Sequence, residues 1–124
     1  MDKNKIFHEL ENQRIGLGLT FADVDRIFEK NGFDYHGDFD IVSPINSKII
    51  LWINWNQDAI DLITEYQHKF NLNKLPTNIL MYLTSGKCVA LPLVKAKSLK
   101  QAQNYKTRRW LPTQFVTQSE YDRA

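Results

Sequence analysis

The stretch Tyr105-Lys106-Thr107-Arg108-Arg109-Trp110 interleaves cations with aromatic rings. Cations neutralise phosphates and aromatic faces stack on bases or sugar rings, so this composition can engage a nucleic acid. In an extended backbone alternate residues share a face, which sets Lys106 and Arg108 beside Trp110. Tyr105, Lys106, Arg108, Arg109 and Trp110 are therefore the candidate binding surface. The plainer alternative is that Trp110 and Leu111 anchor the segment in the core while its cations are simply solvated. A sequence pI of about 8.7 also falls short of the value above about 9 that marks committed nucleic-acid binders.

A second candidate is acidic. Asp34, Asp38 and Asp40 surround Gly37 and could in principle hold a divalent cation. They lack the alternating ligands and terminal Glu of an EF-hand loop. Turn-favouring acids explain the cluster more simply, and its expected functional use is as a docking patch for a basic partner. No catalytic constellation declares itself. His8, His36 and His68 are scattered without metal-ligand spacing. Cys88 lies in an apolar run, where burial leaves a thiol inert. Gly16-Leu17-Gly18 lacks the third glycine and the preceding strand of a phosphate cradle. The expectation is a non-enzymatic protein with no metal and no cofactor.

The elements that must position these residues are legible in part. The first helix is expected over residues 3–13, with Ile6, Phe7 and Leu10 on one side and Gly16 and Gly18 ending it. In the second, Thr20 is placed to cap and Asp23 to complete a capping box, while Leu19 and Val24 match a hydrophobic staple. Phe21, Val24, Ile27 and Phe28 form its apolar stripe. Asn31-Gly32-Phe33 reads as a Schellman cap. Two helices around a Gly-containing turn invite a helix-turn-helix reading. The second helix, however, carries Asp23, Asp25 and Glu29 against Arg26 and Lys30, and an acidic helix is repelled by a DNA groove. A plain helical hairpin is expected instead.

Beyond it, Tyr35 to Asp38 reads as a turn and Phe39 to Val42 as a short strand. Lys48 to Trp55 has Ile49, Leu51, Ile53 and Trp55 on one face and Ile50 and Trp52 on the other, the pattern of a central covered strand. Asn56 can cap a helix over 57–70, with Ala59, Ile60, Ile63, Tyr66 and Phe70 inward. A loop through Pro76 then leads to strands Ile79–Leu83 and Cys88–Val94, joined by a hairpin turn at Thr84-Ser85-Gly86-Lys87. Ser98 to Tyr105 reads as a short helix and Arg109 to Val116 as an extended segment interrupted by Pro112. Hairpins outnumber crossovers, so the expected class is α+β: a mainly antiparallel sheet of four to six strands with two or three packed helices. Residues 1–124 form one domain in this reading, with 119–124 a frayed tail.

Composition supports a packed domain, with 43% hydrophobic residues and 15 aromatic ones. The N-terminus has no apolar core of a signal peptide, and the longest apolar run, Cys88 to Val94, is far shorter than the roughly 20 residues of a membrane span. One cysteine fits a reducing compartment, so a cytoplasmic protein with no membrane association is expected. The charge is polarised along the chain. Residues 1–65 carry twelve acids against six Lys or Arg, whereas residues 66–119 carry nine bases and no acid. Such asymmetry implies either two halves that attract one another or a cationic surface meant for an anion.

Three stretches together resemble a known group: Gly18-Leu19-Thr20-Phe21 through Asn31-Gly32-Phe33, then Trp55-Asn56-Gln57-Asp58-Ala59, then Arg109-Trp110-Leu111-Pro112. Their order is similar to that in small accessory proteins of Gram-positive prophages, plasmids and pathogenicity islands, in the family named after an open reading frame of the Panton–Valentine leukocidin phage. That resemblance implies a mobile-element context and carries no chemical role for any residue. The leading expectation is a binding module that acts through a charge-polarised surface on a protein partner or on another copy of itself. Nucleic-acid binding through residues 105–110 is the alternative, followed distantly by an enzyme.

Overall fold

The computed structural model describes residues 2–95 and 105–124. Among them are five helices, α1 (Lys3–Leu17), α2 (Phe21–Lys30), α3 (Gln57–Lys69), α4 (Leu80–Leu83) and α5 (Gln118–Arg123). Six strands accompany them: β1 (Leu19–Thr20), β2 (His36–Val42), β3 (Ile49–Trp55), β4 (Leu72–Pro76), β5 (Arg109–Trp110) and β6 (Thr113–Thr117). The class is α+β. The strands divide into two three-stranded sheets, ordered β1-β6-β4 and β2-β3-β5, and every pairing is antiparallel except β3 with β5. No helix among the described residues is long and apolar enough to cross a membrane.

Local signals account for the best-defined helices. The Thr20 hydroxyl accepts from the Asp23 amide, and the Asp23 carboxylate accepts from the Thr20 amide, closing the capping box. At the other end Phe33 N donates to Phe28 O and Gly32 N to Glu29 O, the Schellman pattern. Gly32 takes a φ of 67° there, a left-handed backbone that glycine adopts without strain. Asn56 caps α3 by accepting from Ala59 N at 2.8 Å. β3 is central in its sheet and buried on both faces over Ile49–Trp52.

Elsewhere the structure departs from the sequence pattern. The expected strand Ile79–Leu83 is instead helical around α4. Just before it, Asn78 Oδ1 accepts from Leu80 N at 2.9 Å, and the inward-turning Ile79 and Tyr82 lie three residues apart, a helical spacing. Leu, Met and Leu are also good helix formers with no β-branching. Thr84 to Gly86 then form a turn that follows a helix, so there is no hairpin. Cys88–Val94 is irregular apart from one bridge, Leu93 to Trp110. Conversely, the loop expected before Pro76 holds β4, which draws its backbone partners from β6. Residues 35–38 are not a free turn, because His36 already opens β2. The expected tail 119–124 lies mostly in α5, which has its own capping box between Thr117 and Glu120. Of the helix expected over Ser98–Tyr105, only Tyr105 falls within the described residues, and it is in no regular element.

Aromatic rings join the two sheets. Phe21, at the first turn of α2, lies 5.5 Å from Trp55 and 6.2 Å from Trp52 in one sheet, and 4.9 Å from Phe115 in the other. Burying such a ring contributes roughly 1.5–3 kcal/mol. Tyr82 on α4 completes the junction, donating to Thr113 O at 2.6 Å and accepting from Phe21 N at 3.3 Å.

Gly37 permits a close approach between β2 and the start of α3. A Cβ built on it would stand 2.7 Å from Asn56 N, Asn56 Cα and Trp55 O, all backbone atoms that cannot swing aside. Gly37→Ala is therefore expected to destabilise the fold by about 1–3 kcal/mol, the scale of forced overpacking. A urea midpoint equal to that of the wild type would contradict this contact.

Candidate functional site

The structure splits the basic-aromatic stretch. Trp110 is 1% exposed, its indole N–H reaching Leu51 O, and Leu111 is buried beside it. The anchoring alternative describes both residues, and Trp110 has no face available for stacking on a base. The Arg109 guanidinium lies 5.1 Å from the centre of the Tyr105 ring and donates to Leu93 O. Tyr105 itself is half-buried, its hydroxyl accepting from Lys95 N. Arg108 turns the other way and meets Asp40 on β2 at 2.7 Å. Lys106 is exposed. The five residues thus form no single cationic face.

The acidic candidates are equally dispersed. Asp40 is paired with Arg108, so each candidate patch supplies one half of the same ion pair. Asp34 accepts from the His36 amide and faces the His36 ring; the backbone hydrogen bond first, and the ring second, hold its carboxyl below the usual range. Asp38 is exposed on β2. Among the described residues no three His, Cys, Asp or Glu side chains are arranged to hold a metal ion.

A different charged group is the more tightly built one. Asp25 on α2 is 5% exposed. Its carboxylate accepts from the Trp55 indole at 2.7 Å, from the Trp52 indole at 3.3 Å, and from the Lys87 ammonium at 3.4 Å. Strict strand alternation would send Trp52 and Trp55 to opposite faces of β3. Asn54 between them takes a left-handed φ of 65°, and the β2–β3 register slips so that both His36 and Phe39 oppose Trp55. This irregularity resets the pleat and lets both indoles reach one carboxylate. Sequence reasoning counted Asp25 only among the acids of the second helix. The available signal was its spacing, four after Phe21 and three before Phe28, on the buried stripe of α2.

Burial raises the Asp25 pKa, a shift only partly opposed by the Trp55 hydrogen bond and the Lys87 charge. Burial by itself would lower that of Lys87, yet its bonds to Tyr35 and Glu29 and the charge of Asp25 outweigh this and keep the ammonium protonated. Glu29 is held below its ordinary range, chiefly by the Tyr35 hydroxyl and then by Lys87. Lys87 therefore closes a hydrogen-bonded network in which one ammonium faces Asp25, Glu29 and the Tyr35 hydroxyl.

Lys87 also separates two hollows. On one side is a cleft of about 370 Å³ lined by Asp25, Trp52, Asn54, His36 and Cys88. Cys88 is exposed there, not buried in a strand as its apolar neighbours implied. On the other side is a groove of about 720 Å³ between the end of α1, the outer face of α2, and α4. Leu17, Ala22, Leu80 and Met81 give it apolar walls, while Asp23, Arg26, Glu29 and Lys87 supply charges. Leu17 is 82% exposed and Leu80 61%. Ile15 and Leu83, on the same two helices, are also more than half exposed.

Charge segregation along the chain is thus partly cancelled in space. Lys87 and Arg108, both from the basic stretch, pair with carboxylates from the acidic one. Lys97 and Lys100 lie outside the described residues. No family model matches this chain, and neither a curated protein nor a solved structure does.

Proposed function

We propose that this protein is a non-enzymatic binding module, of the mobile-element accessory kind its sequence resembles, that takes an apolar protein segment in the α1–α2–α4 groove. The observation that supports this reading is that Leu17 on α1 and Leu80 on α4, both well exposed, line one groove together with Met81. Apolar groups left in water at the rim of a concave surface mark contact sites, because covering them removes unfavourable hydration. The volume is of the size that accepts a few side chains of a docked segment. Charges at the rim then orient the segment rather than hold it.

Selection of a displayed random peptide library on the full chain tests the reading, with a Leu17→Glu/Leu80→Glu double variant as counter-target. Both positions are well exposed, so the variant keeps the fold. The expected outcome is a set of peptides with apolar residues at helical or alternating spacing, binding the wild type at least tenfold more tightly than the variant, the scale of one buried aliphatic side chain. Peptides that bind both proteins equally, or no enrichment at all, would argue against the groove.

A further inference from the structure

We infer that the cleft of about 370 Å³ beside Lys87 is a binding site for an organic ammonium group, and that the Lys87 side chain is the internal occupant such a ligand replaces. The cleft lies across Lys87 from the groove and stands independently of the reading proposed above. Its lining supplies what an ammonium seeks, a carboxylate shielded from water and the surfaces of aromatic rings. Asp25 is the carboxylate, 5% exposed and held by the Trp52 and Trp55 indoles. Tyr35 and Trp52 line the cleft, and the His36 ring, stacked 4.2 Å from that of Tyr35, extends the aromatic wall. The Lys87 ammonium shows what this lining holds. It sits 5.5 Å from the centre of the Tyr35 ring, 3.0 Å from the Tyr35 hydroxyl and 3.4 Å from Asp25.

Charge around the cleft does not close within the chain. Asp25 and Glu29 share the one Lys87 ammonium, at 3.4 and 3.0 Å. Asp34, set against His36 in the wall, has no Lys or Arg partner among the described residues. Three carboxylates thus stand against one lysine, so a second cation is attracted where an anion would be repelled. Among the described residues no three His, Cys, Asp or Glu side chains are arranged to hold a metal ion, whereas rings around one buried carboxylate suit an amine. Lys87 is also able to give way. Its side chain is 41% exposed, and it follows Gly86, where an added Cβ would meet nothing within 4 Å, so the turn has room to lift.

Titration of the full chain with N-acetyl-lysine methylamide tests the inference, followed by nuclear magnetic resonance at the Trp52 and Trp55 indole N–H groups that both bond Asp25. N-acetyl-norleucine methylamide, which keeps the aliphatic stem without the ammonium, is the neutral control. The expected result in the wild type is saturable movement of both signals with the lysine probe and none with the norleucine probe. Lys87→Met removes the internal competitor and keeps an unbranched stem. Its affinity for the lysine probe should rise on the order of tenfold, because the binding-competent state no longer has to be vacated first. Adding Asp25→Asn to Lys87→Met should abolish that gain. Unchanged far-ultraviolet circular dichroism identifies the folded variants, and where one unfolds the wild-type titration decides alone. Wild-type indole signals unmoved at the highest soluble probe concentration, or an equal response to the two probes, would overturn the site. A folded Lys87→Met that binds no more tightly than the wild type, or a gain that survives Asp25→Asn, would overturn it as well.

Discussion

Replacing Asp25 by Ala is expected to cost about 3–5 kcal/mol of folding stability, the range for removing one member of a buried charge pair. The deletion strands two indole N–H groups that are held in the core by Trp52 and Trp55. Buried donors without acceptors carry their full desolvation penalty. Lys87 loses less, since its side chain is 41% exposed and water can replace one partner. Against a total stability of about 5–15 kcal/mol, the loss is a large fraction, read as a lower urea midpoint with an unchanged slope.

The companion Asp25→Asn keeps an acceptor for the indoles and should cost much less near neutral pH. Its pH profile carries a sign. Asp25 has a raised pKa when folded, so the native state binds its proton more readily than the unfolded chain does. That contribution to stability is fully present below its unfolded pKa and is lost as pH rises through the folded value. Glu9, Glu11, Glu29 and Glu120 have lowered values, set chiefly by hydrogen bonds from Asn31, Arg14, Tyr35 and Thr117. Their contribution is present above the unfolded carboxylate range and is lost on acidification. With Asp25 removed from the titration only this second behaviour remains, so Asp25→Asn should lose stability more steeply than the wild type as pH falls. Parallel profiles would show that Asp25 titrates as it does in the unfolded chain.

Trp110→Ala should cost a further large amount, about 3–5 kcal/mol, as for other buried large aromatic side chains. Its ring packs 5.0 Å from Tyr82 and 6.4 Å from Trp52, so truncation opens a cavity where β5 meets α4 and β3. Its neighbours bracket that value from below. Arg108→Ala breaks a largely exposed ion pair with Asp40, worth about 0.2–1 kcal/mol. Lys106→Ala removes an exposed side chain and should stay within about 0.5 kcal/mol of the wild type. Chemical denaturation of the three variants separates a core strand from a ligand-binding one: a Trp110→Ala protein of wild-type stability would restore Trp110 as a surface residue.

This gradient across residues 106–110 shows why the stretch was readable as composition but not as a site. Alternating cations and rings are visible in sequence, whereas the direction each side chain takes is set by what lies beside the strand. β5 pairs with β3 through Ile49 and Ile50, some sixty residues earlier, and that pairing turns Trp110 inward. Asp25 and Lys87 are 62 positions apart, and Asp40 and Arg108 are 68 apart. Nothing within a few residues of either partner specifies that they meet.

What the sequence determined by itself were the features closed within one turn of chain: the box at Thr20 and Asp23, the left-handed stop at Gly32, the Asn56 cap, and the two-faced apolar run of β3. Each is a hydrogen bond or a burial preference between near neighbours, so its outcome varies little with the rest of the fold. Tertiary structure alone decided that Leu72–Pro76 becomes a strand, that Asn54 brings two indoles to one aspartate, and that opposite charges pair internally. In those places local preferences are weak or nearly balanced, and the free energy of remote pairing and burial exceeds the difference between them.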